Sequence, residues 1–188
     1  MMLDSLRSID QNLFFFLNGF HSAFFDQIMF WGTKSLIWLP LYVILFYLVF
    51  RKYRWQGLWI LLFTALMILV SDQLSNVFKD WILRLRPTHE PGLSGIHTVN
   101  GYVGGQLGFY SAHASTTMAV AVFLILILGN CSRYFSPLIL LWAVFMAYTR
   151  IYLGVHYPGD VLAGWLAGAL IGFCFGAGCL QFIRKRVE

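Results

Sequence analysis

Charge is what this chain lacks most. Only 11% of its 188 residues are Asp, Glu, Lys or Arg, while 59% are hydrophobic and 18% aromatic. Soluble domains carry roughly 25% charged residues. A mean hydropathy of +0.71 excludes a water-soluble globular domain, a disordered chain and a coiled coil, all of which need more polar surface. Nucleic-acid binding is excluded by the same scarcity, because 13 Lys+Arg scattered between apolar runs make no basic stripe. Cysteine is also sparse. Cys131, Cys174 and Cys179 are an odd set in or beside apolar segments, which argues against a disulfide framework. Missing too is any internal repeat or inverted pair of halves, and this counts against a secondary transporter. The N-terminus has no basic start, apolar centre and small-residue cleavage site, so it is expected to stay in the mature chain.

What is present is a series of long apolar runs, at residues 27–50, 55–78, 113–129, 134–150 and 159–183, each near the length a bilayer crossing requires. They predict an all-α polytopic transmembrane bundle of five spans, or six, forming one membrane-embedded domain over residues 1–188. Within residues 1–24, the block Leu13-Phe14-Phe15-Phe16-Leu17 is too short to span and is flanked by Asp10, Asn12 and Asn18. Residues 4–18 therefore read as an amphipathic helix lying on the bilayer surface. Arg51, Lys52, Arg54, Arg133, Arg184, Lys185 and Arg186 fall in connections on one side, which the positive-inside rule makes cytoplasmic. Lys79, Arg84, Arg86 and Arg150 fall on the other side, where topology gives no reason for them. They read as residues kept for chemistry. The last run carries Gly164, Gly168, Gly172 and Gly176 at intervals of four, a ridge for close helix packing, within the bundle or between two copies.

Three clusters share the outer side. Lys79 and Arg86 stand two helical turns apart, so both can face one way, and Pro87 marks the helix end. Asp72, Asn76 and Lys79 extend this into a polar stripe that must face the bundle interior. These cations also suit snorkelling to lipid headgroups. Next, Tyr110-Ser111-Ala112-His113 opens the third run, where a helix start with small residues offers backbone N–H groups to an anion. Ser111 is equally a candidate N-cap. In the third cluster, Arg150 precedes His156 and Asp160, which stand four apart at a helix that Pro158 can open. That spacing lets the carboxylate accept the Nδ1 proton and leaves Nε2 as nucleophile or base. Zinc is the rival reading for His113, His156 and Asp160. No cysteine pair or His-x-x-x-His frame supports it, and the crowd of cations calls for an anion, best a phosphate.

In order and spacing, Lys-x6-Arg-Pro, Ser-x-His and Arg-x5-His-x3-Asp resemble the signature of the type 2 phosphatidic acid phosphatase superfamily of membrane lipid phosphatases. The resemblance runs from Lys79 to Asp160 at motif level and through the C-terminus in hydropathy. It implies that His156 attacks phosphorus to form a phosphohistidine, that Asp160 holds its tautomer, and that His113 protonates the leaving oxygen. Lys79, Arg86, Ser111, Ala112 and Arg150 would bind the phosphate, with no metal and no cofactor. Three positions depart from the commonest family pattern: Tyr110 replaces proline, Ala112 glycine, and Thr149 serine.

The implied enzyme is a phosphatase of the bacterial inner membrane, with its site facing the periplasm or exterior. Its substrates would be of the phosphatidylglycerol phosphate, phosphatidic acid, undecaprenyl diphosphate or lipid A type. Transfer of the phosphate to a second lipid, and anion or lipid transport without chemistry, are the competing readings. Residues 88–109, with six glycines, predict a flexible outer loop and candidate lid, in which His89 and His97 read as solvated.

Overall fold

The apolar runs fold as helices in a computed structural model that describes residues 2–186, leaving residues 1, 187 and 188 outside the description. Among the described residues seven α-helices follow one another: α1 (Met2–Asn18), α2 (Ala23–Gly32), α3 (Leu39–Tyr53), α4 (Gly57–Ile82), α5 (Ala112–Leu128), α6 (Phe135–Tyr152) and α7 (Pro158–Arg184). Among the described residues there is no β-strand, only an isolated bridge between Leu85 and Leu107. The all-α bundle expected from the sequence is the fold observed.

Stretches Ser35–Ile82, Phe135–Tyr152 and Pro158–Arg184 are long and apolar enough to cross a membrane, and Ala112–Leu128 is a shorter apolar helix. The first of these, at 48 residues, would rise about 72 Å as one straight helix, more than twice a hydrocarbon core of about 30 Å. It is broken at Arg54, whose φ of 51° and ψ of −130° end α3. Leu36, Trp55, Leu166 and Leu170 stand more than half exposed, apolar surface on a scale that lipid tolerates and water does not.

One expected boundary is wrong. Residues 27–50 are not a single span, because α2 stops at Gly32 and a 3₁₀ turn, Ser35–Trp38, intervenes before α3. Gly32 and Pro40 punctuate the run. The break is fixed by Trp38, whose Nε1–H donates to the Gly32 carbonyl at 2.7 Å. The N-terminal helix ends at Asn18, where the amphipathic reading of residues 4–18 has it, and residues 19–24 of the segment lie outside it.

Helix α5 lies at the centre, apolar on every face, and contacts α3, α4, α6 and α7. Its Phe123, Ile127 and Leu128 share one buried core with Met67 of α4 and Met146 of α6, all with almost no exposure. The glycine ridge packs within the chain. A Cβ at Gly164 would sit 2.7 Å from the Ser111 carbonyl oxygen, and at Gly168 and Gly172 it would collide with the backbone of Ser115 and Ala119. Glycine is required because α7 lies directly on the α5 backbone. This contact sets the spacing between the helix that starts at Ser111-Ala112-His113 and the one that starts at Pro158-Gly159-Asp160.

Candidate active site

Each of the three clusters sits where a helix begins or ends at one pole of the bundle. Helix α4 ends at Leu83, in the left-handed region with φ 54°, and Pro87 opens the next short turn. Helix α5 starts at Ser111, whose hydroxyl accepts the Ala114 N–H at 3.4 Å. Helix α7 starts with Pro158 in its first turn and a capping box in which the Asp160 carboxylate accepts the Tyr157 N–H at 3.0 Å.

A cavity of 340 Å³ at this pole is lined by Asp72, Lys79, Arg86, Ala112, His113, Arg150 and His156, with Ile68 and Thr116. Six of the eight residues singled out from the sequence therefore share one space: Lys79, Arg86, Ala112, His113, Arg150 and His156. Ser111 and Asp160 stand behind it, both fully buried. His156 is buried, and its Nδ1 lies 3.6 Å from Asp160 Oδ2, beyond hydrogen-bond reach, so Nδ1 has no partner among the described residues. The expected Nδ1–H to Asp160 bond is thus not closed in this resting geometry. Both carboxylate oxygens are engaged elsewhere, Oδ2 by Tyr157 N–H and Oδ1 by Arg84 Nη1 at 2.8 Å. Burial, opposed by Asp160 and reinforced by Arg86 and Arg150, lowers the His156 pKa to about 4. The ring is neutral near pH 7 with a free lone pair to offer.

Apart from Asn76 of the polar stripe, the groups that hold the cations are ones the sequence did not single out. Arg150, 7% exposed, donates from Nη1 to Thr33 Oγ1 at 2.9 Å and from Nη2 to the Tyr102 hydroxyl at 3.0 Å. Its Nε is buried without a partner among the described residues, as is His113 Nε2. Lys79 Nζ donates to Ser75 Oγ at 3.2 Å and Asn76 Oδ1 at 3.1 Å. Arg86 Nε donates to the Leu107 carbonyl at 3.0 Å. Burial and repulsion from Arg150 weaken the hold of Arg86 on its proton, a penalty that a bound anion would remove. Arg84 does not line the cavity. It bridges Asp160 and Asp10 Oδ2, the latter at 2.6 Å, with its guanidinium 4.3 Å over the Tyr157 ring.

The glycine-rich segment is tied down rather than loose. Gly108 N–H donates to the Arg84 carbonyl at 2.8 Å, and Arg86 N–H to the Gln106 carbonyl at 3.0 Å. Gly104, at φ +66°, passes so close to Arg86 that a Cβ there would strike Nη1. His97 is not solvated: its Nε2 pairs with Asp26 Oδ1 at 2.8 Å and its ring stacks on His21 at 3.8 Å.

Beside the polar cavity runs an apolar one of 550 Å³ between α3, α4, α5 and α6, lined by residues such as Tyr42, Val49, Ile60 and Trp142. The two share Ile68, His113 and Thr116. His113 is therefore the partition between a cationic chamber and an apolar one.

The chain is similar to known proteins along most of its length. The chain is 39% identical over 93% of its length to a lipid A 4'-phosphatase of Bacteroides thetaiotaomicron, covering 78% of that protein. It is 31% identical over 90% of its length to the lipid A 4'-phosphatase of Porphyromonas gingivalis, covering 72% of it. Its fold overlays the crystal structure of the transmembrane PAP2-type phosphatidylglycerolphosphate phosphatase from Bacillus subtilis with a TM-score of 0.67 at 25% identity, over 98% of this chain and 88% of that one. Residues 56–188, which hold every cavity cation and both histidines, match the PAP2 superfamily, and the chain belongs to that superfamily.

Proposed function

We propose that the chain is a lipid phosphatase that removes a terminal phosphate from a membrane lipid, without a metal, through a phosphohistidine on His156. One observation carries the reading. Three cations and two histidines surround a chamber of 340 Å³, and one of the histidines also walls an apolar chamber that suits a lipid tail. The relatives' names favour a glycolipid phosphate of the lipid A 4'-phosphate type, with phosphatidylglycerol phosphate and polyprenyl diphosphate as further candidates.

In this mechanism Lys79, Arg86, Arg150 and the backbone at Ala112 hold the phosphate oxygens, and Ser111 fixes the helix start that aims that backbone. His156 Nε2 attacks phosphorus while the bond to the lipid oxygen breaks. His113 gives that oxygen its proton, and the lipid alcohol leaves on the side of the apolar chamber. The charge that appears on the His156 ring draws Asp160 across the 3.6 Å gap. Water then attacks the phosphorus–nitrogen bond, His113 takes the water's proton, and neutral His156 is restored as phosphate departs. A divalent metal in the same chamber would meet the repulsion of three cations. By the positive-inside rule, the basic residues at the other pole support an outer-side location for this site.

The test is phosphate release by the detergent-purified protein, with a chelator present, from a panel of these lipids. Release by wild type and loss in His156→Ala is the expected result. Equal turnover by the two proteins contradicts the mechanism. Phosphate appearing on a second lipid instead of in solution identifies a phosphotransferase.

A further inference from the structure

Helix α1 contributes no residue to the cavity, yet it carries polar side chains aimed inward. Asp10, Phe14 and Asn18 recur at intervals of four and so share one face. Phe14 is fully buried and Asn18 is 2% exposed. The other side of the helix shows Ile9, Leu13 and Phe16 outward, as a helix resting against lipid would. A surface helix of this kind needs no buried asparagine, and its burial is costly unless every polar atom is used.

Asn18 uses them on two segments. Its Nδ2 donates to the carbonyls of Ile151 at 3.1 Å, Tyr152 at 2.9 Å and His97 at 3.1 Å, and its Oδ1 accepts the His97 N–H at 2.8 Å. At the other end of the face, Asp10 Oδ1 accepts the Gly159 N–H at 2.7 Å, in the first turn of α7, and Oδ2 accepts from Arg84. Between them Phe14 packs edge-on against Tyr157, ring centroids 5.5 Å apart. The ties therefore fall on both flanks of the short segment that carries His156. Residues 151–152 are held at one end, and residues 157–160 at the other, by points about 12 Å apart along one rigid helix.

We propose that α1 is a splint for the catalytic segment. Asp10 and Asn18 are positioning residues that fix the distance between the end of α6 and the start of α7, and Arg84 is the link that carries Asp10 to Asp160. This rests on the assignment of His156 as nucleophile. The groups facing the Asp160 carboxylate are Arg84 and, at longer range, Arg86, together with His156 and the Tyr157 N–H. Removing the charge of Asp10 leaves Arg84 with one carboxylate to serve, and it draws that carboxylate away from His156.

The experiment is a double-mutant cycle on full-length protein with Asp10→Asn, Asn18→Ala and the pair, with Arg84→Lys beside them. Asp10→Asn is close to isosteric and retains an acceptor for Gly159 N–H, so it keeps the test open if Asn18→Ala folds poorly. Asp10→Asn and Asn18→Ala are each expected to lower kcat about 100-fold, the scale of an ångström-sized misplacement of a reacting group, with KM for the lipid phosphate unchanged. Arg84→Lys keeps the charge but cannot fork to both carboxylates, so it falls between wild type and Asp10→Asn.

The double variant separates a splint from two independent contacts. Sites farther apart than about 7–10 Å normally act additively, whereas a splint loosened at one end loses little more at the other. Additive losses, or a wild-type kcat in Asp10→Asn, overturn the proposal. If no lipid is hydrolysed even by wild type, the functional reading is what has failed. The ¹⁵N shifts of the His156 ring then decide the splint without activity, since they move in Asp10→Asn if it holds and stay fixed if it does not.

Discussion

Replacing Gly168 by alanine tests whether the α5–α7 contact sets the geometry of the site. A Cβ at this position meets the Ser115 carbonyl oxygen well inside contact distance, with Ser115 C at 2.9 Å and Cα at 3.0 Å. These are backbone atoms and cannot rotate away, so α7 must shift off α5. Gly178, ten residues farther along the same helix, is the control, because a Cβ there finds only Phe63 Cε1 at 3.9 Å. Both changes gain the helix propensity of alanine over glycine, about 1 kcal/mol. At Gly168 this is set against an overpacking cost of up to about 3 kcal/mol. The net loss of about 2 kcal/mol corresponds to a fall in Tm of about 4–8 °C for a chain of this size, while Gly178→Ala melts at or above wild type. Activity carries a second signal. Helix α5 brings His113 and α7 brings Asp160, so a shift of about 1 Å costs about 100-fold in kcat. Tryptophan fluorescence melts in one detergent and phosphate release from one lipid measure the two effects. If Gly168→Ala melts and turns over like Gly178→Ala, the ridge does not hold the helices at the spacing described.

Two further outcomes follow from the site. Arg150→Lys supplies one nitrogen where the guanidinium now reaches both Thr33 and Tyr102, so kcat/KM is expected to fall about 10²-fold to 10³-fold with Tm unchanged; retained activity would show that Arg150 does not hold the phosphate. The pKa of His156 in the folded protein, about 4, lies below its ordinary value of 6.5, so the unfolded chain takes up the proton first as pH falls. This group adds no pH dependence to stability above 6.5 and destabilises the fold increasingly between 6.5 and about 4. An NMR titration of the ring that finds a midpoint near 6.5 would contradict the buried, neutral histidine.

The apolar runs, the glycine ridge and the three charged clusters were legible because each follows from local spacing. A period of four glycines needs a partner helix whatever the fold, and Lys79, Arg86 and Arg150 stand out wherever charge is scarce. The broken first run was not legible, since its break depends on an indole reaching back to the Gly32 carbonyl. Nor were the partners of Arg150. Thr33 and Tyr102 are ordinary residues in sequence and acquire meaning only when α2 and the glycine-rich segment close on Arg150. His97 read as solvated because nothing local shows that Asp26, 71 residues away, would meet it. Arg84 was read as one more cation at the outer face, and its two carboxylates come from opposite ends of the chain. Asp10 and Asn18 were visible as polar flanks of a phenylalanine block. That they point inward follows only from seeing Phe14 buried and Phe16 exposed.

The central claim is that phosphate passes through His156. Wild-type protein mixed with a ³²P-labelled lipid phosphate and quenched in base, where a phosphorus–nitrogen bond survives, should carry acid-labile label on the peptide containing His156. His113→Asn should slow both its formation and its decay, and His156→Ala should carry none. Turnover at the wild-type rate with no label on that peptide, or with label on another residue, would contradict the account.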